Sequence, residues 1–320
     1  MLAIQTEGLT KDYAIGFWRK HLRRALDGLT LGVEQGEIFG LLGPNGAGKT
    51  TTLKLLMQLV YPTSGRAFIL GQPVGTIAVK RRIGYLAEHP YFHDHLTAEE
   101  LLRYFASLFG VPRAGRAARV AELLDEVGIG AERRLPLRKF SKGMLQRVGI
   151  AQAILNEPEV VFLDEPMSGL DPLGRREARA LILDLRRRGC TVFFSSHILS
   201  DAEALCDRVA MVARGCLVAQ GRVADLVAFD VRGWELIVAE CEPEWMARLG
   251  PQAKATQIAA RCYSVELPAT SAPDRLLADL VGCGAKLVSL NPIRETLEDV
   301  FVKHVASADQ APRAAGDERR

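Results

Sequence analysis

A glycine-rich segment near the N-terminus constrains the fold more than any other feature of the sequence. Residues 43–50 are Gly-Pro-Asn-Gly-Ala-Gly-Lys-Thr and match the pattern G-x-x-x-x-G-K-[ST], between an apolar run at 38–42 and a helical pattern through 53–60. Glycines let successive backbone N–H groups turn inward around an anion, and the start of the next helix adds positive dipole. Lys49 supplies a cation, and Thr50 can ligate Mg²⁺. The segment therefore predicts a strand, loop and helix that hold a polyphosphate, rather than a turn that binds nothing.

Three short apolar runs predict strands of a parallel sheet, at 37–42, 160–163 and 191–195. The run Val-Val-Phe-Leu at 160–163 has no polar alternation, which is typical of a central strand buried on both faces. Each run ends in polar residues. Because open parallel sheets bind ligands beyond the carboxyl ends of their strands, we expect these three ends to converge on one site.

Polar side chains at two of these strand ends are candidates for chemistry. After the second strand, Asp164 can hold Mg²⁺ through water, and Glu165 can orient or deprotonate the water that attacks a γ-phosphate. The alternative is a solvated carboxylate pair in a turn. After the third strand, His197 is expected to sense phosphate, although a lone histidine is most often an ordinary surface or core residue.

The hydropathy pattern predicts two domains and a tail in the 320 residues. Residues 1–224 alternate strand and helix patterns, as expected of an α/β domain, with a helical insertion at about 97–149. Residues 225–305 predict a small α+β domain with strands at 234–240 and 286–290 and a helix at 275–281.

The C-terminal end of the chain predicts a helix followed by disorder. Residues 295–305 place Leu297, Val300, Phe301 and Val305 on one helical face, which we expect to dock this piece against its own core. Residues 306–320 have no large apolar side chains, so we expect a disordered tail there.

Composition excludes several classes of protein. Hydrophobic residues make up 48% and charged residues 25% of the chain, which is ordinary for a globular protein, and a formal net charge of +3 is too weak to predict nucleic-acid binding. The charge-free runs, such as 67–79, stop short of the roughly 18 apolar residues that a membrane helix needs. The N-terminus has no secretory pattern, so we expect a cytosolic chain. Six scattered cysteines without a C-x-x-C pair favour reduced thiols.

Further motifs follow the phosphate loop in a fixed order. Residues 140–147 are Phe-Ser-Lys-Gly-Met-Leu-Gln-Arg, and they are followed by the Asp164–Glu165 pair, by Ser-Gly-Leu-Asp at 168–171 and by His197. Over about residues 4–220, this set resembles the ATP-binding subunit of an ABC transporter, with 140–147 similar to the signature motif, 168–171 to the D-loop and His197 to the switch histidine. The resemblance implies a P-loop NTPase of ABC type, an α/β fold with a parallel-sheet core and a helical insertion, here followed by the small C-terminal α+β domain.

The resemblance implies a site shared between two copies of the chain. In that arrangement Ser141 and Gly143 of one subunit close over the γ-phosphate that Lys49 of the other subunit holds. Tyr13 stands where the family places an aromatic ring against adenine; packing in an N-terminal strand is the alternative. Catalysis is expected from Glu165 and His197, and Mg²⁺ binding from Thr50, Glu88 and Asp164. The expected ATP contacts are Tyr13, Gly43, Pro44, Asn45, Gly46, Ala47, Gly48, Lys49, Thr50, Thr51, Ser141 and Gly143.

By this resemblance the chain is an ATP-hydrolysing motor subunit that dimerises on Mg·ATP and drives a separate integral membrane permease at the inner face of the cell membrane. Lys142 and Met144 stand where the family most often has Gly and Gln, and Glu88 where many relatives have Gln. These residues, with the C-terminal extension, resemble the branch that pairs with small export-type permeases. The alternative is a soluble ABC ATPase acting on ribosomes or DNA. A P-loop kinase or GTPase would leave 140–147 unexplained.

Two weaker signals remain. His89, His93, Asp94 and His95 are close enough in sequence to bind a transition metal, but a solvated loop is the preferred interpretation. Residues 17–24 form a basic cluster with two aromatic residues, which suits anionic lipid or the base of a permease. The alternative for that cluster is an exposed turn after the first strand.

Overall fold

A computed structural model describes most of the chain, namely residues 1–16, 20–227, 231–241, 253–271, 277–279, 282 and 284–310. The chain divides into two compact units. One comprises Met1–Val223 together with the C-terminal residues from Phe301, and the other comprises Ala224–Val300. The domain limits expected from sequence, 1–224 and 225–305, lie close to this division except that the helix near 300 crosses it.

The first unit contains two sheets. A four-stranded antiparallel sheet has the order β2-β1-β4-β5, and a six-stranded sheet has the order β10-β9-β3-β8-β7-β6, parallel except for the pairing of β9 with β10. The strands are β1 (Leu2–Ile15), β2 (His21–Glu34), β3 (Ile38–Leu42), β4 (Ser64–Ile69), β5 (Gln72–Pro73), β6 (Ile83–Leu86), β7 (Val160–Asp164), β8 (Thr191–Ser196), β9 (Arg208–Ala213) and β10 (Cys216–Arg222).

Helices cover the six-stranded sheet, and a group of them forms the predicted insertion. The insertion begins at Thr97, whose side chain accepts from the N–H of Glu100 in a capping box, and it continues to Ile154. The helices are α1 (Lys49–Leu56), α2 (Ile77–Lys80), α3 (Ala98–Leu108), α4 (Arg113–Glu126), α5 (Lys142–Ile154), α6 (Pro172–Arg187), α7 (Leu199–Leu205) and α8 (Val223–Leu226), with a 3₁₀ turn at Leu137–Lys139.

The core of the first unit lies on the central parallel strands. Every residue of β3, β7 and β8 is buried, and one face of these strands packs against α1 and the antiparallel sheet. Phe193 stacks on Phe39 at 5.5 Å between ring centroids and lies 5.7 Å from Phe162. These rings join the three strands whose carboxyl ends carry the polar residues.

The sequence predictions for this unit were close for the central strands and incomplete elsewhere. The three predicted strands form within one residue of the expected limits. The helix after the phosphate loop is shorter than predicted, because Gln58 adopts a left-handed φ of 53° that ends helical geometry. Met57 and Val60 therefore pack against the core from outside the helix. The antiparallel sheet was not predicted.

The second unit contains a four-stranded antiparallel sheet of order β12-β13-β11-β14. Its strands are β11 (Val231–Ala239), β12 (Lys254–Ala259), β13 (Cys262–Pro268) and β14 (Lys286–Arg294). One face buries Leu236, Val238, Tyr263 and Val265. The predicted strands at 234–240 and 286–290 correspond to β11 and β14. Of the predicted helix at 275–281, only 277–279 lie among the described residues, and these are helical.

The last helix, α9 (Leu297–Gln310), corrects the prediction for the tail. Disorder was expected from residue 306, but residues 306–310 continue the helix, because alanines favour it and the sequence has no Gly or Pro between Leu297 and Pro312. Residues 311–320 of the expected tail lie outside the described part of the chain. Leu297 and Val300 are buried, whereas Phe301 and Val305 are half-buried.

Two further expectations can be compared with the described residues. None of the helices among them is long and apolar enough to cross a membrane. The five cysteines in the described ranges are free thiols, and burial raises the pKa of Cys190 to about 12.

We expect Phe193→Ala to lower the free energy of unfolding of the first unit by about 3–5 kcal/mol, because it removes a fully buried ring from the contact between β3, β7 and β8. Phe109→Ala is the matched control, since Phe109 is 39% exposed, and its cost should be about 0.5 kcal/mol. Urea unfolding followed by far-UV circular dichroism measures both. Equal losses in the two variants would contradict the placement of the core.

Candidate active site

The phosphate loop joins β3 to α1 in a backbone conformation that requires glycine. Gly43 has a φ of 156°, and a Cβ there would lie 2.1 Å from the carbonyl oxygen of Val212. Gly48, the residue before α1, has a φ of 110°, and its Cβ would lie 2.7 Å from the carbonyl oxygen of Ala25. Both positions therefore exclude other residues, and the loop wraps closely against its neighbours at the start of a helix.

Lys49 is buried at the first position of α1 and is held by several oxygens. Its Nζ donates to the carbonyl oxygens of Gly43 at 2.7 Å and Pro44 at 3.2 Å, and it lies 3.3 Å from Oε1 of Glu165. The ammonium is thus fixed at the loop and shared with the carboxylate beyond β7. This arrangement supplies a positive charge where an anion would enter the loop.

Asp164 ends β7 in a network of hydroxyl groups. Its Oδ1 accepts from Oγ of Ser195 at 2.5 Å and from Oγ1 of Thr50 at 3.4 Å. Burial raises the pKa of Asp164, the two hydroxyl hydrogen bonds lower it, and the carboxylates of Glu88 and Glu165 add to the increase. Thr50 and Asp164, which were predicted to share a metal, are therefore adjacent.

Glu165 follows β7 with a left-handed φ of 49°, which is uncommon for a residue other than glycine. Its backbone N–H is directed to the carbonyl oxygen of Ser195 at 3.2 Å and to Oγ of the same residue at 3.1 Å. Its Oε2 lies 2.8 Å from Nδ1 of His197. The carboxylate therefore contacts both Lys49 and His197. Glu165 and His197, the two residues predicted to act in catalysis, lie within hydrogen-bond distance of each other.

The donor set at this place fits Mg²⁺. Hydroxyl and carboxylate oxygens are the ligands that Mg²⁺ prefers, and Thr50 and Asp164 already supply one of each. Burial is the main cause that raises the pKa of Asp164, and the nearby carboxylates of Glu88 and Glu165 add to it, so a divalent cation here would offset their repulsion. Glu88 is half-buried and lines the same pocket.

An open pocket of about 860 Å³ lies in front of the phosphate loop. It brings together many of the predicted ligands from β1, the loop, α1 and the strand ends. The predicted residues that line it are Tyr13, Asn45, Gly46, Gly48, Lys49, Thr50, Thr51, Glu88 and Glu165. Its size suits a nucleotide rather than a single phosphate.

The pocket is also lined by three arginines that were not predicted from the sequence to bind there, namely Arg23, Arg24 and Arg214. Arg23 pairs with Tyr13 in the β1–β2 ladder, and Arg24 forms hydrogen bonds with Asp12 and Asp27. The basic cluster at 17–24 contained the signal for the first two, but it was attributed to lipid, to a permease or to an exposed turn. Residues 17–19 of that cluster lie outside the described residues.

Ser141 and Gly143 do not line the pocket of their own chain. Ser141 is exposed and caps α5, with its Oγ accepting from the backbone N–H of Met144 at 3.2 Å. This leaves the start of α5 accessible from outside the chain. Their predicted role in binding ATP therefore stays a prediction that requires a second copy.

The histidine-rich segment after Glu88 does not form a metal site in the described part of the chain, where no group of three or more His, Cys, Asp or Glu residues is arranged to hold a metal. His93 and His95 lie 5.7 Å apart between ring centroids, and His89 contacts Glu88 at 3.7 Å. The solvated-loop alternative agrees with the exposure of these histidines.

Comparisons with known proteins place this site in a family. Residues 26–168 match the family model described as ABC transporter. An uncharacterized ABC transporter ATP-binding protein of Synechocystis sp. is 44% identical over 305 residues, which is 94% of this chain and 84% of the relative. A fluoroquinolones export ATP-binding protein of Mycobacterium tuberculosis is 42% identical over 218 residues, covering 68% of this chain and 69% of the relative.

A solved structure described as the ATP binding subunit of an ABC transporter superposes with a TM-score of 0.61 at 32% identity, over 71% of this chain and 92% of that one. In this chain the parallel sheet carries the phosphate loop, the two acids and the histidine at one edge. The chain thus belongs to the ABC transporter ATP-binding proteins, and it is an ATP-binding ATPase of that family.

Proposed function

We propose that two copies of this chain bind Mg·ATP head to tail and that hydrolysis drives a separate membrane permease, in the direction of export. The observation that carries the proposal is the division of the motifs. The pocket contains the phosphate loop and Glu165, whereas Ser141 and Gly143 lie at an exposed helix start outside it. A second copy would supply the missing donors.

The phosphate loop and Lys49 bind the triphosphate. Because the ammonium of Lys49 is shared between loop carbonyls and Glu165, an incoming phosphate competes for the same charge. Tyr13 supplies a ring for adenine at the other end of the pocket, and Arg23 adds a cation beside it. Thr50, Asp164 and Glu88 would hold Mg²⁺, which neutralises charge on the triphosphate when it is bound.

Glu165 and His197 act at the γ-phosphate end. With Glu165 ionised, Nδ1 of His197 carries the proton and donates to Oε2, so the other ring nitrogen can face the phosphate. Glu165 orients the attacking water and accepts its proton. Ser141 and Gly143 of the partner subunit close over the same phosphate through a hydroxyl and a backbone N–H.

Hydrolysis then changes the assembly, since loss of the γ-phosphate removes the contacts that join the copies. A dimer that closes with ATP and opens with ADP is a two-state element able to move an attached protein. The relative named for fluoroquinolones export supports the direction of transport. In this proposal the chain works at the inner face of the cell membrane through its permease, and a soluble ATPase of ribosomes or DNA is the alternative.

We expect Glu165→Gln to lower ATP turnover by about 10²–10⁴-fold, because the amide cannot accept a proton, while ATP binding is retained. Turnover is measured by phosphate release and binding by calorimetry. Glu157→Gln is the matched control, since Glu157 has a similar φ of 50° but an exposed side chain remote from the pocket. Near wild-type turnover of the Glu165 variant would refute the assignment of the base.

We expect Ser141→Arg to abolish dimerisation on Mg·ATP, because a long cation would replace a small donor where α5 meets the partner's nucleotide. Light scattering after size exclusion measures the mass, in the Glu165→Gln background so that ATP persists. Ser107→Arg, at an exposed position on α3, is the control and should still dimerise. A dimer undiminished by the Ser141 substitution would argue against a shared site.

We expect a tagged copy of the chain to co-purify with a small integral membrane protein from detergent-solubilised membranes of its source cells. Mass spectrometry of the eluate, compared with an untagged strain, identifies the partner. Ribosomal proteins or DNA in place of an integral protein would favour the alternative function.

A further inference from the structure

We propose that Ser195 is a positioning residue of the ATPase, whose buried hydroxyl joins the carboxylate of Asp164 to the backbone of Glu165 and so sets both acids against the phosphate loop. The inference deepens the proposed function and rests on the roles given there to the two acids. Ser195 is not among the residues that line the pocket, whereas its hydrogen-bond partner Glu165 is, so it acts through its neighbours.

The hydroxyl of Ser195 is both a hydrogen-bond donor and a hydrogen-bond acceptor. It lies on β8 directly beside Asp164 in the parallel ladder with β7, and it is fully buried. Its Oγ donates to Oδ1 of Asp164 at 2.5 Å and accepts from the backbone N–H of Glu165 at 3.1 Å. A hydroxyl is the small side-chain group that supplies a donor and an acceptor at one atom, so alanine at this place would lose both contacts.

The contact with Glu165 compensates for an unusual backbone. The left-handed φ of Glu165 turns the chain out of β7, and its N–H is then directed at Oγ and at the carbonyl oxygen of Ser195. In the same conformation the Glu165 carboxylate reaches both Lys49 and His197. Ser195 therefore stabilises the turn that delivers the predicted base to the phosphate.

The contact with Asp164 fixes the orientation of the predicted metal ligand. Oδ1 is held between the hydroxyls of Ser195 and Thr50, at 2.5 Å and 3.4 Å. Hydrogen bonds to a carboxylate of this kind orient metal ligands and maintain affinity for the metal. Without Ser195 the Asp164 carboxylate would keep only the longer of these two contacts.

The next residue provides a matched control. Ser196 has the same side chain, is 4% exposed and belongs to the same strand. Its Oγ accepts from the N–H of Ile198 at 2.9 Å and donates to the carbonyl oxygen of that residue at 3.3 Å. It serves a local turn and has no hydrogen bond with either acid among the described contacts.

The test compares Ser195→Ala, Ser195→Thr and Ser196→Ala in the full chain. We expect Ser195→Ala to lower kcat by about tenfold or more, with ATP affinity in EDTA unchanged, because the hydrogen bonds to the Asp164 carboxylate and from the Glu165 N–H are lost but the phosphate loop is intact. Ser195→Thr, which keeps the hydroxyl, should recover most of kcat. Ser196→Ala should stay within about twofold of wild type.

Magnesium binding gives a readout apart from turnover. Calorimetry of ATP with and without Mg²⁺ should show that the gain in affinity from the metal is about tenfold smaller in Ser195→Ala and unchanged in Ser196→Ala. Equal Mg²⁺ gains together with a kcat within twofold of wild type in Ser195→Ala would overturn the inference. So would an equal loss in Ser196→Ala.

Two further arms keep the result interpretable. If Ser195→Ala does not fold, as judged by its thermal midpoint, Ser195→Cys takes its place, because a thiol is a weak donor of similar size; a lower kcat is again expected and an unchanged one overturns the inference. Glu165→Gln separates this inference from the proposed role of Glu165, on which it rests. Retained turnover in Glu165→Gln refutes the proposed role of Glu165 as the base, whereas lost turnover there with unchanged Ser195 variants refutes this inference alone.

Discussion

The parallel pairing of β3, β7 and β8 is the constraint on which the site depends. Leu42 lies opposite Ser196, and Asp164 lies opposite Ser195, so the phosphate loop, the two acids and His197 all start from one edge of the sheet. The pairing is stable because apolar residues fill all three strands and their phenylalanine rings contact one another. Residues separated by more than 100 positions in sequence thereby meet within hydrogen-bond distance.

A buried ion pair between Lys49 and Glu165 lies at the same edge of the sheet. Lys49 and Glu165 are 5% and 7% exposed, and each would be costly there without the other. Loop carbonyls solvate the ammonium, and His197 and the backbone hold the carboxylate. A phosphate bound in the loop would replace Glu165 as the counter-ion of Lys49, and Glu165 would then keep its contact with His197.

The sequence was sufficient to predict structures that a local residue pattern determines. It was insufficient to predict structures that depend on which strands pair with each other. The apolar runs of β3 and β7 and the glycine pattern of the loop determine their own structure. In contrast, the sequence analysis gave an N-terminal strand only as an alternative for Tyr13 and did not predict its pairing with β2, because several register shifts, as between Thr6 and Leu9, interrupt the alternation that identifies a strand. Ser195 was missed for a related reason: a serine in an apolar strand has no signature, and its importance comes from the strand beside it.

Lys142 and Met144 differ from the residues most often found in the signature motif, but neither side chain takes part in the cap at the start of α5. At position 144 the structure uses the backbone N–H, which Ser141 caps, so a methionine serves as well as a glutamine. The side-chain end of Lys142 lies beside Gly169, since a Cβ added at Gly169 would be 2.3 Å from Nζ of the lysine. The lysine therefore packs over residues 168–171 of its own chain. Gly143 has Leu170 and Ser141 near the position of a Cβ, at 3.5 and 3.9 Å. The two donors that the proposed closure over a phosphate would use, the Ser141 hydroxyl and the Gly143 N–H, are thus kept while their flanking residues vary.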